Sequence, residues 1–307
     1  MGYNLTLFQE AYIVSQFFGG APTRRVALDF RNAFGLPISA PTVLRRVRKN
    51  VKNVANTIKY LMNKERTKAG SKRKLGFTPL LGNIWEIDEI YIPVGKKRCP
   101  LVVVKDLKTC FIVVAKLARS VTIKEVTTVL ICARETANKC PVELRGDGHP
   151  SYSKAVKQAF GDKTKLTINK KIGQMGQDQS IESTFGNAIR SRLKRMKSLH
   201  SLARSHVIIQ GLVIDYLFAR PCEALNGKTP AEAAMAWKPV DGKRGWHALL
   251  RLAGCYAKKS DVIKMNSRKE KFQKQLTFDE FPGCLSTKSS CKASNHGRQL
   301  KLSLFLI

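Results

Sequence analysis

Acidic residues are scarce in this chain: 22 Asp and Glu stand against 55 Lys and Arg over 307 residues, a formal net charge of +33. So large an excess of one sign repels itself in a compact state unless a polyanion screens it, which makes nucleic acid the leading partner. Long apolar runs are also lacking. The best, 206–219, is interrupted by Gln210 and Asp215, so no segment is suited to spanning a bilayer. No basic amphipathic helix with a rich aromatic face stands out, and a membrane surface is not the expected partner. The N-terminus has neither a charged leader nor a small-residue cleavage site, so secretion is not expected. Eight cysteines are present, but no Cys-x-x-Cys pair, and several sit in apolar runs. Buried free thiols in a reducing compartment are therefore expected, rather than disulfides or a zinc site.

What is present is enough chain for two or three domains, each with its own core. Residues 1–63 read as all-helical, with helices over 5–18, from Pro22-Thr23 to Phe34, and from an N-cap at Ser39. The third helix should bury Val43, Val47, Val51 and Val54 and turn Arg45, Arg46, Arg48, Lys49 and Lys52 largely to other faces. Helix, short turn and basic helix outline a helix-turn-helix DNA reader; a small bundle with a solvated basic face is the bland alternative. The first 75 residues hold 15 Lys and Arg against 3 acids, which favours DNA. A basic linker over 64–76 follows, and then the pattern changes.

Three β-rich runs, 84–94, 99–104 and 110–117, have short connections and should form an antiparallel meander. A helix over 122–138, a strand ending at Asp147, a helix over 151–160, a strand over 163–168 and a helix carrying Glu182 follow. The apolar stripe of this last helix is Ile181, Phe185, Ile189, Leu193 and Met196. That order of elements is the order of a ribonuclease H-like mixed sheet with flanking helices, an α/β catalytic domain over 77–240. It sets the first strand beside the fourth and so brings Asp88 near Asp147. Two strand-borne aspartates and a helix-borne glutamate in so basic a chain suggest a divalent-metal site acting on a polyanion. Asp106 could approach Asp88 across the meander or simply form its turn. Asp178 reads as a helix cap, and His149 as a loop residue ill suited to magnesium. Residues 241–307 read as a basic C-terminal extension, partly disordered.

Together these residues resemble the DDE transposases of prokaryotic insertion sequences, within the retroviral-integrase-like group. The resemblance spans roughly residues 20–237. It is carried by Trp85-x-x-Asp88-Glu89, Gly146-Asp147-Gly148 with Ser151-Tyr152, Ile181-Glu182 with Arg190-x-Arg192, and Lys228-Thr-Pro-Ala-Glu232. The 34 residues between Asp147 and Glu182 match the family's spacing. The resemblance implies that Asp88, Asp147 and Glu182 are catalytic and hold Mg2+ (or Mn2+), since in-line displacement at phosphorus needs both the attacking and the leaving oxygen stabilised. It implies nicking of double-stranded DNA at the element's ends, then attack of the freed 3′-hydroxyl on target DNA, by a homodimer or larger synaptic assembly. A cytoplasmic, nucleoid-associated location goes with that activity. Arg190, Arg192, Lys194 and Arg195 would join Arg45, Arg46, Arg48 and Lys49 in gripping backbone phosphates. The chain departs from the family at Leu217 and Cys222, where many relatives have Asn and His, and at Ile189, where many have Lys or Arg. A catalytically inactive or domesticated DNA-binding descendant and a nuclease that cuts without joining are the competing readings.

Overall fold

The computed structural model describes residues 4–66, 79–168, 181–195, 199, 201–236 and 245–255; the side chains of residues 63–66, 182, 183, 194, 195 and 203 lie outside that description. Three helices come first: α1 (Leu7–Gly19), α2 (Thr23–Phe34) and α3 (Ala40–Arg66). Thr6 and Gln9 form a reciprocal capping box at the start of α1, and Gly20, at φ 103°, closes it in the left-handed conformation that glycine enters without strain. Ser39 accepts a hydrogen bond from the Thr42 amide at 3.3 Å, as a cap for α3 should. The expected stripe of Val43, Val47, Val51 and Val54 is buried against Ile13, Val14 and Phe17 of α1 and Val26 and Phe30 of α2.

The sheet follows with β1 (Ile84–Val94), β2 (Lys97–Asp106), β3 (Ile112–Leu117), β4 (Glu143–Gly146) and β5 (Lys165–Ile168), in the order β3-β2-β1-β4-β5. The first three strands form the antiparallel meander, and β4 and β5 add in parallel beyond β1. This is the mixed sheet that the order of elements predicts. α4 (Ile123–Ala137) and α5 (Pro150–Phe160) are the helices interleaved between strands; they pack on one another, and Val126, Val129, Ala155 and Ala159 are buried. One face of β1 carries Trp85 and Ile87: Trp85 meets Phe160 of α5 edge-on at 6.3 Å, and Ile87 crowds Gly146. The opposite face carries Glu86, Asp88 and Ile90, because side chains alternate along a strand. It receives residues 181–186, α6 (Asn187–Arg195) and α7 (Leu202–Ile214).

Among the described residues one apolar core runs from the N-terminal helices into the sheet. The junction is α7, where Gly211 lets the helix lie against α1 and α3. A Cβ there would stand 2.2 Å from Phe18 Cζ and 2.8 Å from a Val51 methyl. A helix over 246–255, in the stretch read as extension from the sequence, adds to the same core. Trp246 stacks on Phe18 at 5.1 Å and donates its indole N–H to Asp215 at 3.0 Å. The six described cysteines are free thiols, three of them buried. Among the described residues no helix is long and apolar enough to cross a membrane.

Candidate active site

Parallel pairing of β1 with β4 aligns Glu86 with Arg145, so continuing the register by two residues sets Asp88 opposite Asp147. Asp88, midway along β1, thus lies beside the point where β4 stops at Gly146 and Asp147 leaves the sheet. The stop has a steric cause. Tyr152 and Ile87 close over Gly146 so tightly that a Cβ there would lie 2.9 Å from the tyrosine ring, and Gly148, at φ 92°, turns the chain into α5. Asp147 itself is exposed, and its carboxylate accepts the His149 amide at 3.0 Å.

Oxygens of Asp88, Glu89 and Asp147 lie within 4.8 Å of one another. The membership of Glu89 is a finding, because strand alternation left room for one of the two neighbouring acids to be merely solvated. Asp88 bends along the strand to accept the Glu89 amide at 2.8 Å, which brings it level with its neighbour. Glu89 is half-buried beside the Tyr152 phenol, yet Glu89 Oε1 and Tyr152 Oη are both buried without a hydrogen bond of ordinary geometry. Burial and the neighbouring carboxylates Glu86, Glu89 and Asp147 push Asp88 up to about 7, against the opposing pull of the Glu89 amide. Glu89 is raised as well, chiefly by burial. The Tyr152 phenol is pushed far above its usual range by burial and by Glu89.

These acids fit a hard divalent cation. The donors are all oxygen, one of them is buried without a hydrogen bond of ordinary geometry, and the burial and mutual repulsion that raise Asp88 are what a dication would offset. Glu182 begins a π-helical turn, Glu182–Gly186, which leads into α6; its side chain is outside the described residues. The backbone beside it is placed: the Ile181 amide donates to Glu86 Oε2 at 3.0 Å, and Glu86 lies two residues from Asp88 on the same face of β1. The predicted stripe of Ile181, Phe185, Ile189 and Leu193 is buried, while Met196 lies outside the described residues. Beneath this turn is a buried lysine that the sequence reading passed over. Lys105 donates to Thr184 Oγ1 at 3.2 Å and sits 3.7 Å from Glu86 Oε2. A charge directly after the apolar run 101–104, opposite another in β1, was the available signal.

The remaining expectations divide. Asp106 takes the turn role: its carboxylate accepts from the amides of Gly82 and Thr109 and from the Thr109 hydroxyl, at 2.9, 3.0 and 2.6 Å. His149 caps α5, its Nδ1 accepting the Ser151 amide. Asp178 lies outside the described residues. Of the basic residues on α3, Arg45 and Lys49 are exposed; Arg46 is paired with Glu10 of α1, which also accepts from Asn50. Arg48 is half-buried toward Arg204 of α7, and burial together with that charge lowers its basicity. On α6, Arg190 is exposed and Arg192 half-buried, whereas the side chains of Lys194 and Arg195 are outside the described residues. Ile189 and Leu217, two of the departures from family pattern, are core residues here, and Cys222 is half-buried.

Residues 82–218 match the family model of a DDE domain, of the IS240 transposase type. No curated protein sequence matches the chain. Among solved structures, the chain is similar to the catalytic core domain of HTLV-2 integrase in complex with magnesium, at 16% identity over 51% of this chain and 99% of that one, with a TM-score of 0.39. It is also similar to a chain of a simian T-cell lymphotropic virus intasome solved in complex with PP2A regulatory subunit B56 gamma (15% identity, 53% and 61% of the two chains, TM-score 0.39) and to the BIV integrase catalytic core domain (15%, 50% and 94%, TM-score 0.35).

Proposed function

We propose that the DDE domain spanning residues 82–218 makes this chain a DNA transposase that nicks the ends of an insertion sequence and transfers the freed 3′-hydroxyl into target DNA. The observation that carries the reading is the convergence of Asp88, Glu89 and Asp147 from two adjacent strands, with the backbone of Ile181 tied to the same strand. Asp88 and Asp147 would hold Mg2+ (or Mn2+), Glu182 would complete the set, and Glu89 stands close enough to share it. Such a cation supplies Lewis-acid polarisation of the phosphodiester and of the attacking oxygen. The protein's own part is to hold the acids side by side on two strands paired in fixed register. Tyr152 and Gly146 fix the exit of Asp147, and the Glu89 amide fixes the Asp88 carboxylate. No side-chain nucleophile is needed, and the buried Tyr152 phenol, raised far above neutrality, is unsuited to that role.

Arg190 and Arg192, about two to three turns beyond Glu182, would take the backbone of the strand being cut, and Arg45 and Lys49 would read or grip the element's end. Two ends must meet in one synapse, so the working form would be a dimer or larger. Strand transfer with oligonucleotides bearing the element's inverted repeats tests the reading. Joined product that requires Mg2+ or Mn2+ and vanishes in Asp147→Ala is the expected result. DNA binding with no metal-dependent chemistry would instead mark an inactive DNA-binding descendant, and cleavage without joining a nuclease.

A further inference from the structure

Glu86 and Lys105 face each other directly across the β1–β2 pairing, and both are buried. Two buried charges cost desolvation that a pair of apolar side chains would not, so such a pair needs a reason beyond packing. The partners of this one point to the reason. Glu86 Oε2 accepts the Ile181 amide at 3.0 Å, and Lys105 Nζ donates to Thr184 Oγ1 at 3.2 Å while lying 3.7 Å from that same Glu86 oxygen. Residues 181 and 184 bracket Glu182. The contacts reach 95 and 79 residues along the chain, so they cannot come from local helix formation.

The geometry of both elements is adapted to the contact. Pairing of β2 with β3 shifts register between Val104 and Lys105, a bulge of the kind that re-aims a side chain. The receiving turn is π-helical, with the Gly186 amide bonded to the Ile181 carbonyl at 2.7 Å, and an added Cβ at Gly186 would come 3.2 Å from that oxygen. A single wide turn at the head of an α-helix is a frequent mark of a functional position.

We propose that Glu86 and Lys105 are positioning residues, a buried cross-strand clip that holds the turn carrying Glu182 against the strand that carries Asp88. The proposal rests on the catalytic reading above, since it assigns the clip a purpose only if Glu182 completes the metal set. Glu86 orients the turn through the amide that precedes Glu182, and Lys105 orients it through the hydroxyl two residues after. Neither touches DNA or the metal.

Two neutral pairs in the full-length chain separate positioning from packing. Glu86→Leu/Lys105→Met removes both hydrogen bonds and leaves an apolar pair, whereas Glu86→Gln/Lys105→Met keeps an acceptor for the Ile181 amide. Mn2+ binding is followed by electron paramagnetic resonance, well below each variant's melting temperature, with no DNA present. The Leu/Met pair should weaken Mn2+ binding about 10- to 100-fold, the usual cost of losing an outer-shell support, and the Gln/Met pair should recover part of the loss. Wild-type affinity in both double variants overturns the clip; if the Leu/Met pair does not fold, wild-type affinity in the Gln/Met pair together with Thr184→Val does the same. Asp147→Ala runs alongside. Undiminished Mn2+ binding in that variant sinks the catalytic reading itself, whereas lost binding there with none lost in the double variants sinks only the clip.

Discussion

Removing one charge from the acidic cluster should make the metal-free protein more stable at neutral pH. The carboxyl of Asp88 is ordinary in the unfolded chain, near 3.8, and is pushed up to about 7 in the fold by burial and by Glu86, Glu89 and Asp147. Between those two values the folded state holds a proton that the unfolded state has released, so stability falls as pH rises from about 4 to 7 and is flat above. A gap of roughly three units, at about 1.4 kcal/mol each, sets a ceiling near 4 kcal/mol, and the partial solvent access of Asp88 brings the expected loss to about 2 kcal/mol. For a chain of this size that is on the order of 4–8 °C in melting temperature. Asp88→Asn keeps an oxygen for the Glu89 amide and removes the charge. Melting curves at pH 5 and pH 8 without divalent metal should show the wild type losing several degrees and the variant losing clearly less. Some slope remains, because Glu86 and Glu89 are also raised by burial. Adding Mg2+ or Mn2+ at pH 8 should restore the wild type and leave Asp88→Asn nearly unmoved. Parallel pH profiles for the two proteins, or equal stabilisation by metal, would refute the electrostatic account of the site.

Other outcomes follow from particular contacts. Gly211→Ala drives a methyl into Phe18 and Val51 and should cost about 1–3 kcal/mol in denaturant unfolding, with tightly coupled loss of the N-terminal helices. Asp106→Ala leaves two backbone amides and a hydroxyl without their acceptor; roughly 2–3 kcal/mol of stability should go, while the metal requirement of DNA joining stays the same. Arg45→Ala and Lys49→Ala should weaken binding of end DNA and flatten its salt dependence at unchanged melting temperature. Arg46→Ala should do the reverse, lowering the melting temperature by breaking the pair with Glu10, and gel shifts beside thermal scans tell them apart. Trp246→Ala should cost about 3–5 kcal/mol through the lost stack on Phe18 and the unpaired Asp215.

How far a sequence discloses such a site depends on how local its signals are. The sheet order was legible because its strands are short apolar runs bounded by turns, with an acid midway along β1 and another just past the end of β4. The valine stripe of α3 was legible for the same reason, as helical spacing writes burial directly into the chain. Glu89 was not, because alternation along a strand predicts that neighbouring side chains part; the Asp88 carboxylate instead folds toward the Glu89 amide. Nor was the structural use of Arg46, since a basic residue on a basic helix gives no sign of the glutamate 36 positions earlier that holds it. Lys105 and Glu86 show the limit most clearly. Each breaks its local pattern, a charge inside a buried strand, but the meaning of the break lies in a pairing across two strands and a turn some 80 to 95 residues away. Polar residues that violate an apolar pattern in register with one another are therefore better pointers to function than either is alone, since folding has no use for two buried charges that nothing else requires.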